Sequence, residues 1–275
     1  MADREMPEDP QPTSRRQFLK RAGLAGAVAA AAPVARLAST WAAGGAQAPA
    51  HAGHGKTRPR RWVMVIDLAA CDGCKKCTYA CQKEHFVPFN QQWIKVYENM
   101  ANNAYDRYNF PVPCMQCEDA PCVKVCPVGA TYHTDEGIVQ VDHNQCVGCR
   151  FCMAACPYGV RSFNWTEPSH SPQEKFVQYS PEFPVPHRKG TVEKCMFCAH
   201  RVKMGRLPGC VEACHEAGHD AIYFGDANEN LVTNGKEVVK LTQLLAQGHG
   251  YKYKEELGTH PRVYYLLPSR ETKKA

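Results

Sequence analysis

Residues 111–133, PVPCMQCEDAPCVKVCPVGATYH, and residues 137–165, GIVQVDHNQCVGCRFCMAACPYGVRSFNW, decide how this chain folds. Each gathers four cysteines into a short run ending in Cys-Pro: Cys114, Cys117, Cys122 and Cys126 before Pro127, then Cys146, Cys149, Cys152 and Cys156 before Pro157. Three closely spaced thiols on one turning loop can grip a single metal centre. The fourth, one helical turn past the third, is carried away from that centre toward a neighbour. Small residues inside such loops, Gly148 here, suit backbone conformations that a side chain would hinder. Proline after the last cysteine holds that cysteine extended and ends the turn.

The same arithmetic repeats on both flanks. ACDGCKKCTYACQKEH (70–85) carries Cys71, Cys74, Cys77 and Cys81, with Gly73 inside the loop. VEKCMFCAHRVKMGRLPGCVEAC (192–214) carries Cys195, Cys198, Cys210 and Cys214. The chain has 16 cysteines in four groups of four, with none left over. C-x2-C-x2-C-x3-C-P is the bacterial iron–sulfur run, in which the last cysteine ligates the other cluster. Groups two and three, both ending in proline, pair naturally. Groups one and four form a second pair around them. Exchange of last cysteines then gives four ligand sets: Cys114, Cys117, Cys122 with Cys156; Cys146, Cys149, Cys152 with Cys126; Cys71, Cys74, Cys77 with Cys214; and Cys195, Cys198, Cys210 with Cys81.

Other chemistries use cysteine too. Four zinc ions would also consume sixteen thiolates, but zinc knuckles present two separated C-x2-C pairs, not three cysteines in one tight loop. A disulfide framework suits an exported chain, although near-neighbour thiols give poor loop closures. A zinc- or disulfide-stabilised exported binding protein remains one alternative, and an autonomous iron–sulfur enzyme another. Colour separates the first from the iron–sulfur reading. No catalytic residue is expected, since G-x-G-x-x-G and G-x4-G-K-[ST] are both absent.

At 275 residues, 44% hydrophobic and 22% charged, the chain is neither a disordered tail nor a membrane protein. Its formal charge of +6 is mild and dispersed, which argues against nucleic acid as a partner. Residues 1–48 read as a twin-arginine signal segment. SRRQFLK at 14–20, with Arg15 and Arg16, precedes an Ala- and Gly-rich apolar stretch at 22–35 and an A-x-A site at 46–48. That stretch is too short to span a membrane, and no later one approaches the needed length. The expected destination is the periplasmic side of the cytoplasmic membrane.

Residues 49–60 form a linker. Residues 61–110 and 191–268 make the outer unit around groups one and four, and residues 111–164 the inner unit. Residues 165–190, with prolines at 168, 172, 181, 184 and 186, read as an extended excursion between them. Residues 269–275 are a tail. Strands are expected at 61–67, 93–97 and 262–267, a hairpin at 131–133 and 138–141 around Asp135-Glu136-Gly137, a strand at 221–224, and an amphipathic helix over 236–246. Arg201, Lys203 and Arg206 read as a solvated basic face, and Trp93 and Trp165 as packing between units. His215 and His219 read as ordinary loop residues, and His51 and His54 are too sparse for a metal site.

These four segments together resemble the four-cluster ferredoxin-type electron-transfer subunits of respiratory complexes. Relatives in that family serve dimethyl sulfoxide, polysulfide, tetrathionate and nitrite reductases, the sulfite-reduction-associated transmembrane complex and alternative complex III. The likeness runs from about residue 61 to about residue 267. It implies an α+β fold of two interlocked ferredoxin-like units, each holding two [4Fe-4S] clusters. It also implies a relay between an integral membrane quinone-reactive subunit and a redox partner, either a catalytic molybdenum subunit or a multihaem cytochrome. One departure stands out: group four ends in Cys214-His215, where the family usually has Cys-Pro.

Overall fold

A computed structural model describes residues 59–100 and 108–267. The twin-arginine segment, His51 and His54 lie outside the described residues. WVMVID folds as strand β1 (Trp62–Asp67), the centre of the largest sheet. Period-two alternation sends Trp62, Met64 and Ile66 to one face, where they join the core that contains most of the cysteines. Val63 and Val65 go to the other face, under a smaller cluster with Tyr223, Val232, Leu241 and Leu266. Both faces are covered, which explains why the strand is an almost unbroken apolar run.

The sheet gathers strands from both ends of the chain. β12 (Val263–Leu266) pairs with β1 in parallel, Met64 opposite Val263. β8 (Ile222–Asp226) pairs with the other edge of β1 antiparallel, Met64 opposite Phe224. β9 (Leu231–Thr233), β10 (Val238–Lys240) and β11 (Tyr251–Lys252) complete the order β10-β9-β8-β1-β12-β11. Three two-stranded ribbons accompany it: β2 (Lys95–Met100) with β3 (Tyr108–Val112), β4 (Thr131–His133) with β5 (Val139–Val141), and β6 (Ser162–Phe163) with β7 (Val192–Glu193).

Six helices are described: α1 (Lys76–His85), α2 (Pro121–Lys124), α3 (Phe151–Ala154), α4 (Ala199–Lys203), α5 (Gly209–Glu216) and α6 (Leu241–Gln247). α1, from cysteine group one, packs on α5, from group four, while α2 packs on α3. The long gap in group four is thus one short helix, a turn and a second helix.

Two expected elements differ. The helix expected over 236–246 begins only at Leu241, because Val238 and Val239 extend into β10 opposite Thr233 and Val232. Their β-branched side chains suit a sheet edge better than a first helical turn. The strand expected at 93–97 begins at Lys95, with Trp93 and Ile94 buried just before it.

The cysteine loops need left-handed backbone at the residue before the second cysteine. Gly73 (φ 83) and Gly148 (φ 70) supply it in groups one and three. Groups two and four put Gln116 (φ 47) and Phe197 (φ 53) in that place, a conformation costing about 1–2 kcal/mol for a residue with a Cβ. Gln116 is held there by two bonds, its Nε2 donating to Cys195 O at 2.8 Å and its Oε1 accepting from Val139 N at 2.8 Å. Phe197 is held by edge-on packing against Phe224 at 5.4 Å.

A Cβ at Gly148 would overlap the carbonyl oxygen of Gly190, whereas one at Gly159 (φ 61) meets nothing within 4 Å. Gly148→Ala should therefore destabilise by about 2–4 kcal/mol and Gly159→Ala by about 1 kcal/mol. Denaturant unfolding measures both, and equal effects would contradict the packing described here.

Candidate metal centres

All sixteen cysteines are free thiols, and the fold draws them together in four sets. Cys71, Cys74, Cys77 and Cys214 line a small cavity beside Ile66 and Ile222. Cys126, Cys146, Cys149 and Cys152 line a second, and Cys114, Cys117, Cys122 and Cys156 a third. Cys81 lies among Cys195, Cys198 and Cys210, and all four of these are buried. In each set three cysteines come from one group and the fourth from its packing partner.

The helices explain this division. Cys77 and Cys81 lie on α1 one turn apart and face different sets, as do Cys210 and Cys214 on α5. Burial pushes the Cys71 and Cys195 thiols up to about 11, and those of Cys77, Cys117 and Cys198 up to about 12. Free thiols at these positions would stay protonated at neutral pH. A bound cation reverses that, because a coordinating thiol gives up its proton.

The surroundings favour added negative charge. Arg161, buried on the strand side of the inner sets, loses by desolvation but gains more from the sulfurs of Cys122, Cys152 and Cys114. Its Nη2 is buried without an acceptor among the described residues. Lys194 is fully buried, donating to Val139 O and, at 2.8 Å, to Cys195 O. At Cys126, burial is outweighed by hydrogen bonds from the backbone of Thr131, Val128 and Ala130, which lower the thiol. The amide of Ala221 likewise donates to Cys214 Sγ at 3.3 Å. An all-sulfur donor set, ringed by amides and buried cations around a cavity, fits an anionic iron–sulfur cluster.

Several residues sit differently from their sequence expectation. Arg201 is buried, not solvated: its Nη1 meets Glu84 of α1 at 2.7 Å, its Nη2 pairs with Glu212 of α5, and its Nε donates to Leu207 O at 2.8 Å. It clamps the two helices that frame the fourth set. Lys203 and Arg206 do face solvent. Trp93 is buried against His85 (4.9 Å) and His187 (6.0 Å). Trp165 is exposed, with the Arg150 guanidinium 4.5 Å over its ring, so it packs between no units. His215 pairs with Asp220 at 2.7 Å. His219 reaches Asp72 at 3.1 Å and, with Cys74, forms a small, partly exposed group beside the first cavity.

The proline-rich segment is more than a spacer. Val185, His187 and Glu174 are buried, and His187 bridges two elements. Its Nδ1 meets Glu193 Oε1 at 2.6 Å and its Nε2 donates to His85 O at 2.7 Å. Burial opposes charge on His187, yet the Glu193 hydrogen bond prevails and raises its pKa. His85 is the reverse case: burial, with His200, His187 and Arg201 nearby, holds it well below the usual histidine range. Composition hid these contacts, because prolines and polar residues read alike in a linker and in a folded cover.

The 4Fe-4S dicluster domain matches residues 105–172. Over 222 residues the chain is 41% identical to a selenate reductase subunit of Mesobacillus selenatarsenatis, covering 75% of this chain and 72% of that one. It is 37% identical over 237 residues to the iron–sulfur cluster-binding subunit of menaquinone reductase from Nitratidesulfovibrio vulgaris, covering 75% and 88%. It is 32% identical over 262 residues to a tetrathionate reductase subunit of Salmonella typhimurium, covering 92% and 88%. The chain belongs to this family, the iron–sulfur electron-transfer subunits of respiratory reductase complexes.

Arg201→Ala should cost about 2–3 kcal/mol, since it leaves two carboxylates without their buried partner, though both carboxylates retain some solvent. Lys203→Ala should cost about 0.5 kcal/mol or less. Unfolding of the iron-loaded proteins compares them directly. Equal effects would return Arg201 to the solvated face.

Proposed function

We propose that the four cysteine sets hold four [4Fe-4S] clusters in two interlocked ferredoxin-like units. The outer unit is built by 61–110 and 191–268, the inner by 111–164. The observation that carries this reading is the exchange of the last cysteine between paired groups, repeated in all four sets. Bound there, each cluster supplies a one-electron redox couple; the rest is the work of the chain.

The residues set an order for the relay. α1 and α5 each serve the set with Cys74 and the set with Cys81. In the inner half Cys126, just past α2, and Cys156, just past α3, each stand with the other group's cysteines. Between the halves, Cys195 lies beside Cys114, whose backbone donates toward its sulfur. The ends of the row are the sets with exposed cysteines, Cys74 and Cys149, while the Cys81 set is wholly buried. A row exposed at its ends and covered in its middle suits conduction between two docked partners.

Those partners are an integral membrane quinone-reactive subunit at one end and a catalytic molybdenum subunit or multihaem cytochrome at the other. The menaquinone reductase relative supports a quinone link. No described helix is long and apolar enough to cross a membrane, in keeping with a membrane partner. Delivery by the twin-arginine segment would put the complex on the periplasmic side of the cytoplasmic membrane, exported folded with its clusters inserted.

Anaerobically purified protein should contain about sixteen irons and sixteen acid-labile sulfides. Cys156→Ser should perturb the cluster of Cys114, Cys117 and Cys122 and spare that of Cys146, Cys149 and Cys152. Electron paramagnetic resonance distinguishes the two. Eight or fewer irons after reconstitution, or the reverse assignment, would sink this reading. Replacing Arg15 and Arg16 together by Lys should leave a brown precursor in the cytoplasm. Normal periplasmic accumulation on fractionation would rule out the export route.

A further inference from the structure

The last residue of α1, His85, is buried to 1% exposure. Its Nε2 lies 3.1 Å from Cys198 Sγ, and its Nδ1 is buried with no partner among the described residues. The ring has little freedom to leave that position. Trp93 packs on it at 4.9 Å, His200 meets it edge-on at 5.0 Å and Phe183 closes from 6.0 Å. His187 holds the backbone of the same residue through His85 O. Three chain segments, including the proline-rich cover, thus aim one imidazole nitrogen at one sulfur.

We propose that His85 is a positioning residue that, as the Nε2–H tautomer, donates a hydrogen bond to the Cys198 sulfur and raises the reduction potential of the cluster held by Cys81, Cys195, Cys198 and Cys210. This rests on the four-cluster reading above. A cysteine held as a thiolate has no proton to give, so the proton between the two atoms belongs to the imidazole. The bare Nδ1 then carries only a lone pair, which a buried site tolerates better than an orphaned N–H. Reduction adds an electron to an anionic cluster, and burial of all four cysteines makes that addition costly. A donor on one sulfur stabilises the more negative state, so its loss must lower the potential. The purpose is a level relay: the covered member of the row would otherwise be the hardest to reduce and would block its neighbours.

The test is a redox titration of the anaerobically purified full-length protein, followed by electron paramagnetic resonance. His85→Phe keeps an aromatic ring and removes the donor; His85→Gln offers an amide N–H in its place. One hydrogen bond to a charged sulfur corresponds to about a tenfold change in the reduction equilibrium, or 59 mV for one electron. One of the four steps should move down by about that much in His85→Phe, and by less in His85→Gln, with the other three unmoved. Sixteen irons with four unchanged steps in His85→Phe would overturn the proposal while leaving the four-cluster reading intact. An iron count of eight or fewer in the unmodified protein would instead strike that reading itself. Should His85→Phe fail to load or fold, the unmodified protein grown with ¹⁵N-histidine decides. A ¹⁵N hyperfine coupling on one reduced cluster is expected, and its absence from every reduced state overturns the hydrogen bond.

Discussion

A turn of α-helix separates residues four apart by about 6 Å along its axis, and most of this architecture follows from that displacement. Cys77 and Cys81 on α1 stand in different sets, as do Cys210 and Cys214 on α5. Each of these two helices therefore serves two sets, and each of those sets draws on both helices. Neither helix of a pair completes a site alone. The packing of α1 on α5, and of α2 on α3, is thus part of the metal chemistry and not a separate matter of core formation.

The surrounding chain protects this arrangement in two ways. Apolar strands shield it, with Met64, Ile66, Ile222 and Phe224 on the sheet face toward the cysteines. Polar groups tie it in register. Gln116 joins group two to group four and the β5 strand; Arg201 ties α4 to α1 and α5; His187 fastens the proline-rich cover to the end of α1. Each is buried and each meets its partners closely, so the polar links add geometric definition that apolar contact alone would leave loose.

How much was legible in the sequence depended on how local the determining physics is. Which cysteines gather around each cavity could be anticipated from spacing, because each loop brings three neighbours together. β1, the β4–β5 hairpin and β12 could be read from alternation and turn residues. Gln116 could have been found by aligning the four groups, where it occupies the place of Gly73 and Gly148. Nothing short-range marks Arg161, Lys194 or His85, whose neighbours come from distant segments. Arg201 sat beside two exposed cations in the sequence and looked like them. Trp165 looked like a packing residue because nothing short-range in the sequence marks its ring as exposed beneath the Arg150 guanidinium. Residues 236–246 failed as a helix because edge pairing competed with helical periodicity and won at Val238 and Val239.

The discontinuity of the outer pair has a consequence for biosynthesis. A ribosome adds roughly 5–20 residues each second. Cys71, Cys74 and Cys77 therefore emerge long before Cys214, and Cys81 long before the three cysteines it joins. The inner pair is complete once Cys156 has appeared, but the outer pair then waits for 58 more residues to Cys214, roughly 3–12 seconds at those speeds. During that interval four thiols of group one stand without partners from group four. Nascent chains would thus need a reducing compartment, or a chaperone over residues 70–85, until α5 arrives with Cys214.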